Sequence, residues 1–261
     1  MPPFWIGNAS DTALLLGLLA MRVAVAFLLV PLFTQDLLPA SIRNALFLAL
    51  ALLALLLQRP LSLPQSAAAW LQAYAGEALI GLALGFGYAG LMWSFEMAGQ
   101  LIDNKIGSSQ AQLTDPLTGH QTSLNGAFLA RLASWVFMAS GGFMLFAATL
   151  LDSFALWPVG QPWHWLPSGA ALFEIEGGRW LRSALMLAAP ALLMLYLVDA
   201  VLGLTNRFAQ QLNVFSLSMS LKSIVGQLVL LLQLGSLVSL LNQDLLARPA
   251  RVLDWLRQLL G

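Results

Sequence analysis

The chain has 261 residues, of which 59% are hydrophobic and 9% charged, with twelve basic and twelve acidic side chains and no cysteine. A soluble domain carries about 25% charged residues, so there is too little charge here to cover a soluble body of this size. A formal net charge of zero offers no basic face to nucleic acid, and the absence of cysteine excludes disulfides and thiolate metal sites.

Six stretches approach the roughly 20 apolar residues that a bilayer-spanning helix needs. They are Thr12–Phe33, Leu37–Leu57, Trp70–Phe95, Leu132–Leu151, Ser183–Leu204 and Ile224–Leu241, the second and last short enough to be paired half-spans. Leu and Ala dominate throughout, and no stretch alternates polar and apolar residues between turn signals. This pattern predicts an all-α fold, a polytopic membrane-type bundle of long apolar helical hairpins, and argues against a β-barrel. The chain reads as a single domain over residues 1–261, without repeat, linker or low-complexity tract.

The first stretch follows ten residues that lack Lys and Arg, and it is too long for a signal-peptide core, so it reads as a retained helix. Arg22 lies at its centre. Burying it costs about 2.5–3.5 kcal/mol on the insertion scale, which the seven leucines between Leu14 and Leu29 offset. Arg22 is therefore expected to face a partner and not lipid. After the second stretch, Pro60 and Pro64 force a turn over Arg59–Ser66. The third stretch carries Glu77, which poses the same burial problem, and then Gly81, Gly85, Gly87 and Gly90. Glycines at this spacing weaken a soluble helix but let two backbones approach closely in a membrane-type bundle. Gly141 and Gly142 in the fourth stretch invite the same reading.

Between the third and fourth stretches lies a polar segment, Asn104–Asn125, rich in Gly, Ser, Thr, Gln and Asn, with a turn expected at Asp115, Pro116 and Gly119. Such a segment is either an ordinary solvent loop or, at membrane depth, one that lines a cavity or is wrapped in protein. A third interruption, Asp152–Arg182, holds Trp157, Pro158, Pro162, Trp163, His164, Trp165 and Pro167. Its tryptophans suit either a membrane–water interface or an aromatic plug packed on helices. In the last two stretches, Asp199, Gly203 and Asn206 share one helical face, as do Lys222, Gly226 and Gln233. An Asp199–Lys222 pair would serve either a proton or solute relay or simple structural pairing. The positive-inside rule fails to orient the chain. Arg43, Lys105, Arg207 and Lys222 fall on one side, against Arg59, Arg179, Arg182, Arg248, Arg251 and Arg257 on the other.

Catalytic chemistry has few candidates. His120 and His164 stand alone in loops, and no HExxH, GxSxG or P-loop spacing occurs. Asp103 and Asp115 bracket the polar loop without a nucleophile beside them.

The residues resemble the FliR/SctT family of flagellar and virulence type III export apparatuses, from about Arg22 to the end of the chain. The resemblance rests on Gly81, Gly85 and Phe86; on Glu96, Gly99, Asp103 and Gly107; and on Asp115 and Pro116 with Ser123, Gly126, Phe128 and Leu129. It continues through Gly141-Gly142, Asp152-Ser153 and Trp157-Pro158 to Asn206, Arg207, Phe208, Ala209, Gln211, Leu212, Asn213, Val214 and Phe215, then Ser218 and Lys222. Trp157-Pro158 and the Asn213-to-Lys222 run look more like the virulence branch.

This resemblance implies a multi-pass protein of the bacterial inner membrane, in the base of a secretion system. One copy would join SctR-type and SctS-type subunits in a passive gate for unfolded proteins, working with SctU- and SctV-type components. It would touch membrane lipid but no nucleic acid, and use no cofactor. The loop near residues 106–122, with Gly107, Gln110, Asp115, Pro116 and His120, would plug the pore. Arg22, Glu77, Glu96, Asp103, Asp199, Asn206 and Lys222 would make polar or inter-subunit contacts, and Gly81 and Gly85 close helix packing. A secondary transporter coupled through Asp199 and Lys222 is the alternative; it expects an internal repeat, and the sequence has none. An intramembrane enzyme lacks a residue set.

Overall fold

Unbroken Leu- and Ala-rich runs have no backbone option in an apolar setting except to bond internally, and helices satisfy that within each segment. A computed structural model describes residues 9–33, 39–57, 66–107, 123–159, 168–208 and 214–260. Among them are α1 (Ala9–Leu29), a 3-10 turn (Pro31–Phe33), α2 (Ala40–Leu57), α3 (Ala67–Ile106), α4 (Leu124–Ala139), α5 (Gly142–Leu156), α6 (Ser168–Phe208) and α7 (Val214–Leu260). The described residues contain no strand. The protein is all-α and polytopic in character. Thr12–Leu29, Ala67–Ile106, Phe173–Phe208 and Ser218–Leu259 are each long and apolar enough to cross a membrane.

The helices overrun the apolar stretches. α3 continues past Phe95 to Ile106, so Asn104 is helical and not part of a loop. Hydropathy drops at polar residues, whereas the backbone ladder does not, and Gln100 Nε2 still donates to Glu96 Oε1 one turn back at 3.2 Å. Likewise Asp152–Leu156 and Ser168–Arg182, read from sequence as interruption, belong to α5 and α6. Ile224–Leu241 is the middle of the 47-residue α7. The polar C-terminal part of α7 is held by Asp244, which pairs with Arg248 and Arg251.

The fourth apolar stretch is broken in two. Gly141 sits at φ +76°, a left-handed conformation open to glycine, and α4 and α5 meet there at a bend of 72°. A Cβ on Gly141 would meet nothing within 4 Å. Gly141 is therefore a turn residue, which corrects the close-packing expectation for it.

The chain divides into two compact units. In the first (residues 1–90, 138–176 and 244–261), Phe27 packs at ring-centroid distances of 4.5 Å on Phe33 and 5.0 Å on Phe146, and Tyr88 lies 5.0 Å from Phe146. The Tyr88 hydroxyl and Thr149 Oγ1 share a hydrogen bond of 2.7 Å. α1 and α3 meet backbone to backbone. A Cβ built on Gly81 would lie 2.5 Å from Arg22 O, and one on Gly85 would lie 2.6 Å from Ala26 O. In the same unit Trp255 of α7 packs edge-on to Phe173 at 4.8 Å.

The second unit (residues 91–137 and 177–243) buries Ile102, Ile106, Leu129, Phe137, Leu195 and Leu230. Trp93 and Trp180 meet at 5.3 Å. Its α6 and α7 segments leave much apolar surface uncovered: Leu193, Leu232 and Phe208 are 70%, 78% and 81% exposed. Large apolar side chains left this open are suited to cover by lipid or a neighbouring apolar subunit.

Candidate functional site

Among the described residues, three polar nodes hold the charges and amides of interest. The first is built on Arg22, whose guanidinium is wholly buried in α1. Its Nε donates to Glu77 Oε2 of α3 at 2.7 Å and its Nη2 to Glu77 Oε1 at 3.1 Å, a bidentate fork. Nη1 donates to Ser153 Oγ of α5 at 3.1 Å and Nη2 to the Trp157 carbonyl at 3.0 Å. The guanidinium carbon stands 4.1 Å from the centroid of the Phe154 ring. One side chain thereby ties α1, α3, α5 and the Trp157 turn together. The sequence pattern placed Arg22 and Glu77 in apolar helices; it gave no sign that Ser153 and Trp157 would complete the set.

The second node is an ion triad. Asp199 of α6 pairs with Lys222 of α7 through Oδ1, and with Lys105 of α3 through Oδ2 at 2.6 Å. Lys105 Nζ also lies 3.7 Å over the Tyr196 ring. All three are partly exposed, Asp199 by 32%. Lys105 was not foreseen, because it lies beyond the apolar stretch that the sequence pattern marked. The two glycines on the Asp199 and Lys222 faces differ in their surroundings. A Cβ on Gly203 would meet nothing within 4 Å, whereas one on Gly226 would sit 3.0 Å from Ile106 Cδ1. Gln233 Nε2 has no hydrogen-bond partner among the described residues.

The third node surrounds Asp103, near the end of α3. Asp103 Oδ2 accepts from the Ser123 hydroxyl at 2.5 Å and from the Asn125 N–H at 2.9 Å, and Oδ1 accepts from Asn125 Nδ2 at 2.6 Å. Asn125 Oδ1 in turn accepts from Gln227 Nε2 of α7 at 2.9 Å. Ser123 caps α4 by accepting from the Gly126 N–H at 2.9 Å. A Cβ on Gly99 would run into the Asn125 carbonyl and the Gly126 nitrogen, so only glycine there admits the start of α4. Ser123, Asn125, Gly99 and Gln227 acquire their roles only once α3, α4 and α7 are packed. Ser123, a helix-capping residue type directly before the apolar run that starts at Leu124, was the available signal.

The remaining predicted positions are simpler. Glu96 is half-buried and bonded to Gln100. Asn206 is exposed near the end of α6. Gly107 closes α3 at φ +91°, with its N–H on the Asp103 carbonyl at 3.1 Å. Gln110, Asp115, Pro116, His120 and His164 lie outside the described residues.

The sequence profile of the family described as "Bacterial export proteins, family 1" matches residues 13–247. The chain is 31% identical over 215 residues to the surface presentation of antigens protein SpaR of Salmonella typhimurium, covering 81% of this chain and 79% of that protein. It is 31% identical over 218 residues to the flagellar biosynthetic protein FliR of Bacillus subtilis, covering 82% and 83%. The Yop proteins translocation protein T of Yersinia pestis is 32% identical over 168 residues, and there the chain spans 63% of that relative's length.

Proposed function

The chain belongs to the bacterial export proteins, family 1, and on that footing we propose that it is a structural subunit of a type III protein-export gate. In this reading it is a multi-pass protein of the bacterial inner membrane, in the base of the secretion system, with no catalytic step of its own. The single observation that carries the reading is the family match over 13–247, and the likeness to relatives named for surface presentation of antigens and flagellar biosynthesis agrees with it. The uncovered apolar faces of α6 and α7 support it, since helices of that kind need lipid or neighbouring apolar subunits to cover them.

The finer proposal is that one copy of the whole 1–261 chain joins SctR- and SctS-type subunits around a pore for unfolded proteins, in contact with SctU- and SctV-type components. The segment 106–122 is the plug of that pore. Arg22, Glu77, Asp103, Asp199 and Lys222 hold this chain's own helices in place, with close backbone approach at Gly81 and Gly85, while Glu96 and Asn206 remain open to sister subunits. Shortening residues 106–122 tests the plug. Assembly should survive, and the resting membrane should become leaky to small solutes; a membrane that stays tight would contradict the plug assignment.

A further inference from the structure

Asp103 and Ser123 stand on either side of the segment 108–122, and they are bonded directly to each other. A helix begins with N–H groups that have no acceptor of their own. In α4, Ser123 serves the Gly126 N–H, and the Asn125 N–H is served by Asp103, a side chain of the preceding helix. An acidic group at that end also suits the helix dipole. Asp103 and Asn125 are 6% and 4% exposed, so water has little access to replace the bonds they make. Gln227 braces Asn125 from behind, and Gly99, one turn before Asp103 on the same face, lets the two backbones close up.

We propose that Asp103 is the anchor of the connection between α3 and α4. Through Asn125, and Gln227 behind it, Asp103 fixes where the chain leaves one helix and enters the next. It is a positioning residue. Its consequence for export rests on the plug reading above and is read separately, as solute leak.

The chain has no cysteine, and Asn104 and Leu124 are exposed at the two stems. An Asn104→Cys/Leu124→Cys variant of the full chain, purified from membranes and spin-labelled, therefore reports the stem-to-stem distance by pulsed electron resonance. The parent should give one narrow distribution, and Asp103→Ala a broad one reaching to longer distances. Asn125→Asp alone should also broaden it, by setting two carboxylates face to face. Combining Asp103→Asn with Asn125→Asp should restore the narrow peak. The new amide at 103 donates to the new carboxylate at 125, its oxygen still accepts from Ser123 and the residue-125 N–H, and Gln227 keeps its acceptor.

A narrow peak in Asp103→Ala would overturn the anchor. So would an exchange variant as broad as Asn125→Asp alone at unchanged helix content. Asn125→Asp and the exchange variant, both near-isosteric, keep the test decisive should Asp103→Ala fail to fold. Solute leak, measured on the same variants, separates the two readings. Broadened stems in a tight membrane uphold the anchor and contradict the plug; a leak with unchanged stems contradicts the anchor.

Discussion

The interhelical ion pairs of the two compact units sit in opposite environments. In the first, Arg22 and Glu77 are buried to 0% and 3% exposure, and every guanidinium nitrogen of Arg22 has an acceptor. In the second, Asp199 shares itself between Lys105 and Lys222 in a triad that solvent or a neighbour can reach. Large apolar side chains stand open in both units, among them Leu71 and Leu246 of the first at 73% and 72% exposure. The aromatic cluster around Phe27 is closed within its own unit, while Leu193, Leu232 and Phe208 of α6 and α7 stand open. The difference lies in the ion pairs, one sealed and one open, while the open apolar side chains of both units suit a chain that lipid or neighbouring subunits cover. A subunit built to be covered by others needs this combination, a stable body and an incomplete face.

The largest effect that tests this contrast should come from Glu77→Leu. It strands a buried guanidinium, and removing one partner of such a pair costs about 3–5 kcal/mol. The melting temperature in detergent should fall sharply, and adding Arg22→Leu should return much of the loss. Next comes Gly85→Ala, where the added Cβ meets Ala26 O at 2.6 Å and Leu29 Cβ at 2.9 Å. Overpacking of that kind costs about 1–3 kcal/mol, read in the same melting experiment.

Asp199→Asn should matter less, by about 0–1 kcal/mol, and the parent's advantage should shrink as salt is added. If Asp199→Asn proved more damaging than Glu77→Leu, the contrast between the units would be wrong. Smallest of all is Gly203→Ala. The new methyl meets open space, and alanine favours a helix interior over glycine by about 0.5–1 kcal/mol, so stability should hold or rise slightly in the isolated chain. A large loss there would mean that α6 is covered within this chain after all.

Much of the scaffold was legible in the sequence, because its determinants are local. Apolar runs set the helices, and Arg22, Glu77, Asp199 and Lys222 drew attention through the cost of placing charge among them. Gly81 and Gly85 stood out through their spacing. Helix ends were less legible, since hydropathy falls at Glu96 and Asp103 while the backbone ladder runs on to Ile106. The bend at Gly141 was hidden for a related reason: an apolar window does not register a single left-handed residue.

The polar nodes were legible only in part. Arg22, Glu77 and Asp199 were visible as charges in apolar runs, Lys222 beside one and Asp103 as one side of the polar loop, and tertiary packing alone delivers the other members. Lys105, Ser153 and the Trp157 carbonyl are of this second kind, and so are Asn125 and Gln227, whose sequence separation of 102 leaves no local trace of their bond.

The central claim is that this chain is one subunit of a larger gate. Native mass spectrometry of the tagged chain, extracted in mild detergent after co-expression with its genomic neighbours, tests it most directly. The account predicts a complex of several small apolar subunits containing one copy of this chain. A monomer or homodimer free of other proteins would contradict it, and would turn attention to a solute transporter.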